Sequence, residues 1–299
     1  MKFTITVPAS TANMGPGFDS VGMALNRYIK IQVSPASEWS ITFSSRENLD
    51  GLPANKDNLI YQTAASVASD YGRTLPPCEL IIKSEIPLSR GMGSSAAAIV
   101  AGIELANVLL DLKLDAGEKL RRASVTEGHP DNVAASLYGG LVIGSHRADA
   151  TDVISGGVPE VDIVAVIPPY ELMTKDSRNS LPEQFTFPEA VAASSISNVL
   201  VAALLQNNWP LAGKMMGNDL FHQNYRKRLV PELDQISAVV EGKDVYGVSL
   251  SGAGPTVLCF APVGSGQVVL DTLQEAGAFS GHEVVLLKVS EEGVQVEYE

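Results

Sequence analysis

The stretch that decides the fold runs over residues 87–97 and reads Pro87-Leu88-Ser89-Arg90-Gly91-Met92-Gly93-Ser94-Ser95-Ala96-Ala97. It follows an apolar triplet at residues 80–82 that predicts a strand, and it opens a helical pattern that continues to Leu112. Glycines allow a close approach of the backbone to a ligand and permit positive φ angles. The first amides of a helix and its dipole attract anions. The stretch predicts an anion-binding loop, and the alternative is a glycine turn with a serine cap.

Neither of the two common nucleotide-binding motifs accounts for this loop. A dinucleotide fingerprint requires a third glycine three places after a Gly-x-Gly pair. The sequence has four such pairs, and the required positions hold other residues, namely Ser20, Ala96, Val257 and Val269. A Walker A loop requires Gly-Lys followed by Ser or Thr, and the sequence lacks that triplet. Both absences argue against a Rossmann oxidoreductase and a P-loop enzyme.

Composition and charge narrow the functional classes further. The 299 residues are 45% hydrophobic, which suffices for two domains sharing an extended core. The formal net charge of −13 repels phosphate backbones and anionic lipids, so nucleic-acid and membrane partners are not expected. The two cysteines, Cys78 and Cys259, form no CxxC pair, and the four histidines show no HxxxH spacing. Neither a disulfide nor a zinc site is therefore expected.

No targeting or membrane segment is predicted. Apolar and polar residues alternate over residues 3–7, which is typical of a strand and not of a signal-peptide core. The longest unbroken apolar run, residues 96–103, is too short to span a bilayer. These patterns predict a cytoplasmic protein.

The order of predicted elements mixes strands and helices in both halves, which is typical of two α+β domains. The sequence becomes polar and glycine-containing over residues 145–159, and we place the domain boundary between residues 152 and 153. In the second half, residues 211–224 predict one helix and residues 161–167 predict a strand.

Three ordered motifs resemble those of the GHMP kinases, the family of galacto-, homoserine, mevalonate and phosphomevalonate kinases. Residues 87–97 resemble the Pro-x-x-x-Gly-Leu-Gly-Ser-Ser-Ala-Ala loop of that family, with Met92 in place of leucine. Residues 8–19 (PASTANMGPGFD) resemble the first motif in its homoserine-kinase form, and residues 249–256 (SLSGAGPT) resemble the third. The resemblance extends over nearly the whole chain.

The resemblance implies an α+β, two-domain GHMP kinase fold. Residues 1–152 would form an N-terminal ribosomal-protein-S5-like, nucleotide-binding domain, and residues 153–299 a C-terminal ferredoxin-like α/β sandwich. It also implies that the whole loop at residues 87–97 binds ATP, that Mg²⁺ accompanies the ATP, and that the protein is a homodimer. We expect the adenine near Asn58 and residues 83–86.

Three further segments resemble the acceptor site of homoserine kinases. They are residues 127–134 (EGHPDNVA), 174–178 (TKDSR) and 221–226 (FHQNYR), the last with Asn224 in place of a proline. The resemblance implies phosphorylation of the L-homoserine hydroxyl to O-phospho-L-homoserine in threonine biosynthesis. Arginine binds carboxylates bidentately, and an ammonium group requires carboxylate or amide oxygens. The candidate substrate-binding residues are therefore Asn13, Asp19, Asp131, Asn132, Arg178 and Arg226.

The remaining site residues follow from the same resemblance. The Mg²⁺ ligands would be Ser95 and Glu127, and these two would share catalysis with Asp131 and Asn132. Supporting roles are expected for five residues, namely His129, Thr174, Ser251, Gly252 and Gly254. The sequence leaves open whether Asp131 is a general base, an ammonium anchor or a helix cap. Each arginine also has the alternative of a solvated surface charge.

Two other functions stay open at this point. A GHMP kinase for another small alcohol, such as mevalonate or a sugar, would have no use for two carboxylate-binding arginines beside an acid pair. A catalytically silent relative would bind small molecules without turnover, although every expected site residue type is present.

Overall fold

The computed structural model describes residues 1–44, 49 and 51–299. Within these residues, most strands belong to one large sheet that is built mainly from the first half of the chain. Its seven strands are β1 (Phe3–Asn13), β2 (Gly17–Pro35), β3 (Ser40–Phe43), β4 (Cys78–Ser84), β5 (Leu141–His146), β6 (Thr151–Gly157) and β11 (Gln295–Tyr298). The strand order is β11-β1-β2-β4-β3, and β5 joins β2 to β6. All pairs are antiparallel except β3 with β4.

The long strand β2 organises this sheet. Its nineteen residues pair with β1 along one edge, while the other edge pairs with β5 near Val21 and with β4 from Ile29 onward. Register shifts between β1 and β2 lie next to Pro8 and Asn13, where the chain turns toward the site. The first sequence motif therefore occupies the irregular end of β1 and the start of β2.

A second, four-stranded sheet is formed by the later part of the chain. Its strands are β7 (Asp162–Ile167), β8 (Gly247–Leu250), β9 (Val257–Ala261) and β10 (Glu283–Leu287). The order is β10-β7-β9-β8 and all pairs are antiparallel. This order matches a ferredoxin-like arrangement, and the two-domain α+β fold class expected from the sequence is confirmed.

Both faces of the strand β7 are buried, which explains the continuous apolar run over residues 163–167. Ile163, Ala165 and Ile167 pack into the core shared with the first sheet. Val164 and Val166 point to the opposite side, into a core with Ile236 and Leu273. Because side chains alternate along a strand and both faces are covered, every residue from 163 to 167 is buried.

Ten helices cover the sheets within the described residues. They are α1 (Leu59–Asp70), α2 (Ser94–Leu110), α3 (Ala116–Glu127), α4 (Asp131–Tyr138), α5 (Thr174–Asn179), α6 (Phe187–Leu205), α7 (Trp209–Met216), α8 (Gln223–Arg226), α9 (Glu232–Val239) and α10 (Gly266–Glu275). The helix α2 is the most enclosed, because its small and apolar residues pack against α1, α3, α4 and β1.

The single helix predicted over residues 211–224 is wrong. The helix α7 ends at Met216, and α8 begins only at Gln223. The carboxylate of Asp219 accepts hydrogen bonds from three backbone N–H groups, those of Phe221, His222 and Gln223. A short polar side chain that satisfies these donors stabilises a turn at the expense of a continuous helix.

The first sheet extends beyond the residues assigned to the first domain. The expected boundary between residues 152 and 153 lies inside β6, which pairs with β5 through Gly157. The last strand, β11, returns to pair with β1. We therefore propose a domain division after residue 157, with residues 295–298 completing the first sheet.

By length and composition alone, α6 could cross a membrane, with a mean hydropathy of 1.5 and only 22% of its most apolar window buried. Residues 190–206 predict a helix here, but serines and Asn198 interrupt its apolar residues, so its sequence contains no long unbroken apolar run. It packs on α7 and touches β2.

Candidate active site

The glycine loop between β4 and α2 is shaped by close backbone approaches. Gly91 and Gly93 have φ angles of 75° and 71°. A Cβ atom on Gly91 would lie 2.2 Å from the carbonyl oxygen of Ser251, and one on Gly93 would lie 2.1 Å from Oγ of Ser10. Any side chain at either position would collide with another motif, so both glycines are needed for the three motifs to meet.

The start of α2 is open toward a cleft. Gly93 occupies the N-cap position, and no side chain of the described residues caps the helix. Ser94 and Ser95 line the cleft, which has a volume of about 300 Å³. Uncapped helix-start amides carry partial positive charge and bind anions. The open, uncapped start of α2 therefore supports the prediction that this loop binds an anion.

The start of α4 faces this loop. Oγ of Ser10 donates a hydrogen bond of 3.0 Å to Oδ1 of Asn132, and a Cβ on Gly93 would lie 3.1 Å from that same oxygen. The backbone of Asp131 packs directly on Gly22, where a Cβ would lie 2.1 Å from the carbonyl oxygen of Asp131. Asn132 is thereby held within van der Waals distance of the loop.

Asp131 and His129 form a buried ion pair. Asp131 is 1% exposed, and its Oδ1 accepts from Nδ1 of His129 at 2.6 Å and from the N–H of Asn132 at 2.7 Å. Burial lowers the pKa of His129, but the hydrogen bond and charge of Asp131 outweigh it and raise that pKa to about 9. His129 is therefore protonated at neutral pH, and Asp131 stands at the first turn of α4 instead of capping it.

Two arginines face the cleft beside the Phe18 ring, and we call Arg178 and Arg226 the clamp arginines. The guanidinium of Arg178 donates to both oxygens of Asp19, at 2.7 and 3.0 Å. Its Cζ lies 5.4 Å from the ring centroid of Phe18, and that of Arg226 lies 5.2 Å from it. Both distances are within the range of cation–π interactions.

The guanidinium of Arg226 is buried, and not all of its N–H donors have a hydrogen-bond partner among the described residues. It is 1% exposed, and its Nη1 donates to the carbonyl oxygen of Gly252 and contacts Nδ1 of His222, each at 3.1 Å. Its Nε finds no hydrogen-bond partner among the described residues. Burial, with the charge of Arg178, lowers the pKa of Arg226 to about 10. A guanidinium in this state is stabilised by an anion in the cleft.

Glu127 and Ser95 meet at the mouth of the cleft. Oγ of Ser95 donates to Oε2 of Glu127 at 3.0 Å, across 32 residues of sequence. Burial raises the pKa of Glu127. A hydroxyl and a carboxylate oxygen beside an anion-binding helix start are hard donors of the kind that Mg²⁺ takes. The residues present therefore fit the expected metal.

The third motif supports the loop from behind. Oγ of Ser251 donates to the carbonyl oxygen of Gly91 at 2.5 Å, and the N–H of Gly252 donates to Ala12. The side-chain amide of Asn13 donates to Gly252 and accepts from the N–H of Asp19. Asn13 therefore ties the first and third motifs together, and each end of its side-chain amide already has one internal partner.

Part of the predicted ATP loop lies outside the cleft. Its lining includes residues 89–95 and Thr174, while Pro87, Leu88, Ala96 and Ala97 are not among the lining residues. The side chain of Arg90 reaches the other way and donates to three backbone carbonyl oxygens, those of Leu88, Pro168 and Pro169. Arg90 thus anchors the loop to the chain after β7.

An apolar pocket of about 230 Å³ adjoins the cleft and shares Ser89, Ser94 and Ser95 with it. Its walls include Asn58 and Ile86, two of the residues predicted to lie near the adenine, whereas Lys83 and Glu85 do not line it. Both ends of the Asn58 amide are engaged, by the carbonyl oxygen of Pro53 and the N–H of Ile60.

Sequence reasoning missed three residues of the site. Ser10 holds Asn132, the Phe18 ring lies beside both clamp arginines, and Lys175 lines the cleft beside Thr174. Ser10 and Phe18 stand inside the first motif, so their place in the motif was the available signal.

Comparison with known proteins assigns the chain to a family. The family models for the GHMP kinases N terminal domain and the GHMP kinases C terminal match residues 58–140 and 200–278. The chain is 54% identical over 297 residues to homoserine kinase of Halalkalibacterium halodurans, covering 99% of this chain and 95% of that protein. The chain belongs to the homoserine kinase family of the GHMP kinases. It is therefore a kinase, and its family implies the use of ATP.

Other relatives extend the same result. Homoserine kinase of Bacillus pumilus is 54% identical over 299 residues, covering 100% of this chain and 96% of that protein. The crystal structure of homoserine kinase from Cytophaga hutchinsonii superposes with a TM-score of 0.86 at 28% identity, covering 99% and 97% of the two chains. Mevalonate kinase of L. major, at 16% identity and a TM-score of 0.72, shares the fold.

Proposed function

We propose that the chain transfers the γ-phosphoryl group of ATP to the hydroxyl of L-homoserine, giving O-phospho-L-homoserine and ADP. The observation that carries the proposal is one cleft that combines an uncapped helix start, a carboxylate–amide pair and a buried guanidinium with an unpaired N–H. Two relatives that are each 54% identical to this chain are named homoserine kinases, and they support the same substrate.

We assign the nucleotide to the loop side of the cleft. The phosphates would lie on the amides at the start of α2, whose dipole stabilises negative charge. The base would enter the apolar pocket that shares Ser94 and Ser95 with the cleft. Arg90 would act by fixing the loop, because its guanidinium is occupied by backbone carbonyl oxygens.

We assign the substrate carboxylate to the clamp arginines. The free Nε of Arg226 and the remaining donors of Arg178 supply hydrogen bonds to a carboxylate, and such charge-assisted bonds are strong. Asp19 accepts two hydrogen bonds from Arg178, which fixes the orientation of the Arg178 guanidinium before substrate binds. Mevalonate also has a carboxylate but has no ammonium group, and a neutral sugar has neither, so the arginines together with the acid pair fit L-homoserine best.

We assign the ammonium group and the reacting hydroxyl to Asp131, Asp19 and Asn132. Oδ1 of Asp131 already accepts from His129 and from Asn132, which leaves Oδ2 for the substrate ammonium. Oδ1 of Asn132 is held by Ser10, so its Nδ2 is the group that can orient the hydroxyl. We therefore favour Asp131 as an anchor over Asp131 as a general base.

The chemistry needs mainly positioning. The hydroxyl oxygen forms a bond to the γ-phosphorus as the bond to the β,γ-bridging oxygen breaks, and the hydroxyl proton can leave late to solvent or phosphate. Ser95 and Glu127 would hold Mg²⁺, which when bound neutralises charge on the phosphate oxygens. The clamp arginines and the helix start hold acceptor and donor in line, which is the main contribution of the protein chain.

A cytoplasmic location, expected from the sequence, and a homodimer, implied by the family resemblance, belong to this proposal. So do threonine biosynthesis as the setting and Asp131, Asn132, Ser95 and Glu127 as the catalytic group.

An ADP-release assay with Mg²⁺-ATP across an acceptor panel tests the proposal. The panel contains L-homoserine, mevalonate, a hexose and L-homoserine methyl ester, which keeps the hydroxyl and the ammonium but loses the carboxylate. We expect turnover with L-homoserine and a kcat/KM at least about 100-fold lower with the ester, because the clamp arginines lose their partner. Equal turnover of the ester, or a preference for mevalonate or the hexose, contradicts the substrate assignment. Nucleotide binding without turnover of any acceptor would favour a silent relative.

A further inference from the structure

The imidazole of His222 is enclosed between the first motif and one of the clamp arginines. The side chain is fully buried. Its Nε2 lies 2.9 Å from the carbonyl oxygen of Gly15, and its Nδ1 lies 3.1 Å from Nη1 of Arg226. The ring stacks on Phe18, with 5.2 Å between the two centroids. His222 is not among the residues that line the cleft, but it touches one that is.

The two partners of His222 determine its tautomer. A carbonyl oxygen only accepts hydrogen bonds, and a guanidinium only donates them. Nε2 therefore carries the proton, which it donates to Gly15, and Nδ1 is the acceptor for Arg226. A second proton, on Nδ1, would point at an N–H group of the guanidinium. Burial also lowers the pKa of His222, which favours the same neutral ring.

An ion pair with Asp219 is the other role open to this histidine. Oδ2 of Asp219 lies 3.4 Å from Nε2, farther away than the carbonyl oxygen of Gly15. The same Oδ2 accepts from the backbone N–H groups of His222 and Gln223, at 3.2 and 2.7 Å. Asp219 therefore closes the turn before α8, and the imidazole proton belongs to the hydrogen bond with Gly15.

The contact with His222 decides which edge of the Arg226 guanidinium can receive a ligand. Nη1 carries two N–H groups, and its two partners are Nδ1 of His222 and the carbonyl oxygen of Gly252, each at 3.1 Å. Within the part of the chain that the structure describes, neither Nε nor Nη2 has a hydrogen-bond partner. Nε and Nη2 form the edge that binds a carboxylate with two parallel hydrogen bonds. His222 and Gly252 thus leave that edge unoccupied.

A neutral acceptor suits this position better than a carboxylate would. Arg178 already shares its charge with Asp19 through two hydrogen bonds, whereas Arg226 donates to no carboxylate among the described residues. A carboxylate in place of the imidazole would form charge-assisted hydrogen bonds with the guanidinium and compete with a bound anion. The imidazole nitrogen orients Nη1 and leaves the positive charge of Arg226 available.

We propose that His222 is a positioning residue that sets the preference for an acceptor with a carboxylate, by holding Nη1 of Arg226 so that Nε and Nη2 face that carboxylate. The inference rests on the proposed function, in which Arg226 binds the carboxylate of L-homoserine. His222 precedes α8 and Arg226 ends it, and side chains four residues apart lie on one face of a helical turn. The carbonyl oxygen of Gly15 fixes the tautomer, so the first motif contributes to acceptor specificity.

Two amide variants separate the two hydrogen bonds of the ring. In His222→Asn, the amide oxygen can take the place of Nδ1, so the acceptor for Arg226 is kept and the donor to Gly15 is lost. In His222→Gln, the amide nitrogen can take the place of Nε2, so the donor is kept and the acceptor at Nδ1 is lost.

We expect His222→Gln to raise the KM for L-homoserine at least about 10-fold, with kcat within about threefold, because the charged guanidinium loses a hydrogen bond that orients it. His222→Asn should keep the KM within about threefold of wild type, because an acceptor remains for Arg226. A role in holding the first motif alone predicts the reverse order, since only glutamine keeps the hydrogen bond to Gly15.

L-Homoserine methyl ester makes the test specific for the carboxylate. With the ester, His222→Gln should match the kcat/KM of wild type within about twofold, because Arg226 then has no carboxylate to bind. His282→Gln is the matched control. Its imidazole also uses Nε2 for a hydrogen bond, to Glu232 at 3.2 Å, and lies outside the lining of the cleft, so its KM should not change. ATP affinity measured by calorimetry shows that each variant is folded.

Equal increases of KM in the two His222 variants, or an unchanged KM in His222→Gln, would overturn the inference. A parallel loss of activity toward the acid and the ester would do the same, because it indicates damage that is not directed at the carboxylate. A wild-type chain without preference for the acid over the ester would refute the substrate assignment, and this inference with it. The two failures are distinguishable because only the second is visible in the wild-type chain.

Discussion

Replacing Asp131 by asparagine removes one charge from the acceptor side of the site and changes its shape very little. The side chain is 1% exposed, and its Oδ1 accepts from Nδ1 of His129 at 2.6 Å and from the N–H of Asn132 at 2.7 Å. An asparagine Oδ1 in the same place can accept both hydrogen bonds. The group that it cannot replace is the carboxylate oxygen that we assign to the substrate ammonium.

The magnitude follows from the charged interaction that we assign between Asp131 and the substrate ammonium. A hydrogen bond to a charged group contributes about 1.5–3 kcal/mol. At about 1.4 kcal/mol per factor of ten, its loss corresponds to a decrease of about 10- to 10²-fold in kcat/KM for L-homoserine. The hydrogen bond to His129 exists with and without substrate, so weakening it lowers the stability of the fold and does not add to this loss.

The assay varies L-homoserine at saturating Mg²⁺-ATP and measures ADP release, while calorimetry measures the affinity for ATP. We expect kcat/KM to fall and the ATP affinity to stay within about twofold, because the helix start at Ser94 is unchanged. Asp271→Asn, at an exposed position on α10, is the matched control and should keep full activity. Unchanged turnover in Asp131→Asn would remove Asp131 from the site, and a parallel loss of ATP binding would indicate general damage.

Three further substitutions or conditions test other parts of the structure. Phe18→Leu should raise the KM for L-homoserine about 5- to 30-fold with little change in kcat, since the clamp arginines lose their cation–π contact, while Phe18→Tyr should stay near wild type. In urea unfolding, Gly93→Ala should lower the free energy of unfolding more than Gly72→Ala. Both positions have a positive φ angle, but only at Gly93 would the new Cβ atom collide with a neighbour, 2.1 Å from Oγ of Ser10. Equal losses would contradict the packing argument. The pKa of His129 is raised to about 9 in the folded protein, so its stabilising contribution is complete below about pH 6.5 and is lost as the pH rises through 9. In His129→Gln, the free energy of unfolding should change less between about pH 6.5 and pH 9 than in the wild-type chain, as measured by urea unfolding.

Much of the candidate site could be predicted because its parts are local motifs. The loop at residues 87–97 follows from a strand, a pair of glycines and a run of small residues, and the structure has it at the uncapped start of α2. The pairing of Ser95 with Glu127 was expected from family resemblance, and their side chains meet at 3.0 Å. For the loop the residue types themselves indicated the chemistry, whereas the pairing of Ser95 with Glu127 was indicated only by the family resemblance.

The direction in which a side chain points could not be predicted. Arg90 lies within the loop motif, but its guanidinium reaches the carbonyl oxygens of Pro168 and Pro169, which belong to a distant part of the sequence. Whether a loop cation faces a ligand or the protein depends on how two domains pack, and a sequence pattern carries no information on that. Packing also decides the residue types of β6. Its polar residues are typical of a linker because, in the part of the chain that the structure describes, only one of its edges is paired and much of it is exposed.

The site also resolves how an acidic chain can bind an anion such as ATP. Three carboxylates line the cleft, those of Asp19, Glu127 and Asp131, and the protonated His129 stands among them. The same lining holds the clamp arginines and Lys175. Cationic groups therefore outnumber carboxylates locally, although the chain as a whole carries a formal charge of −13. Because charges further away than a Debye length of about 8 Å are screened at physiological salt, the local excess and the helix-start amides determine what enters the cleft.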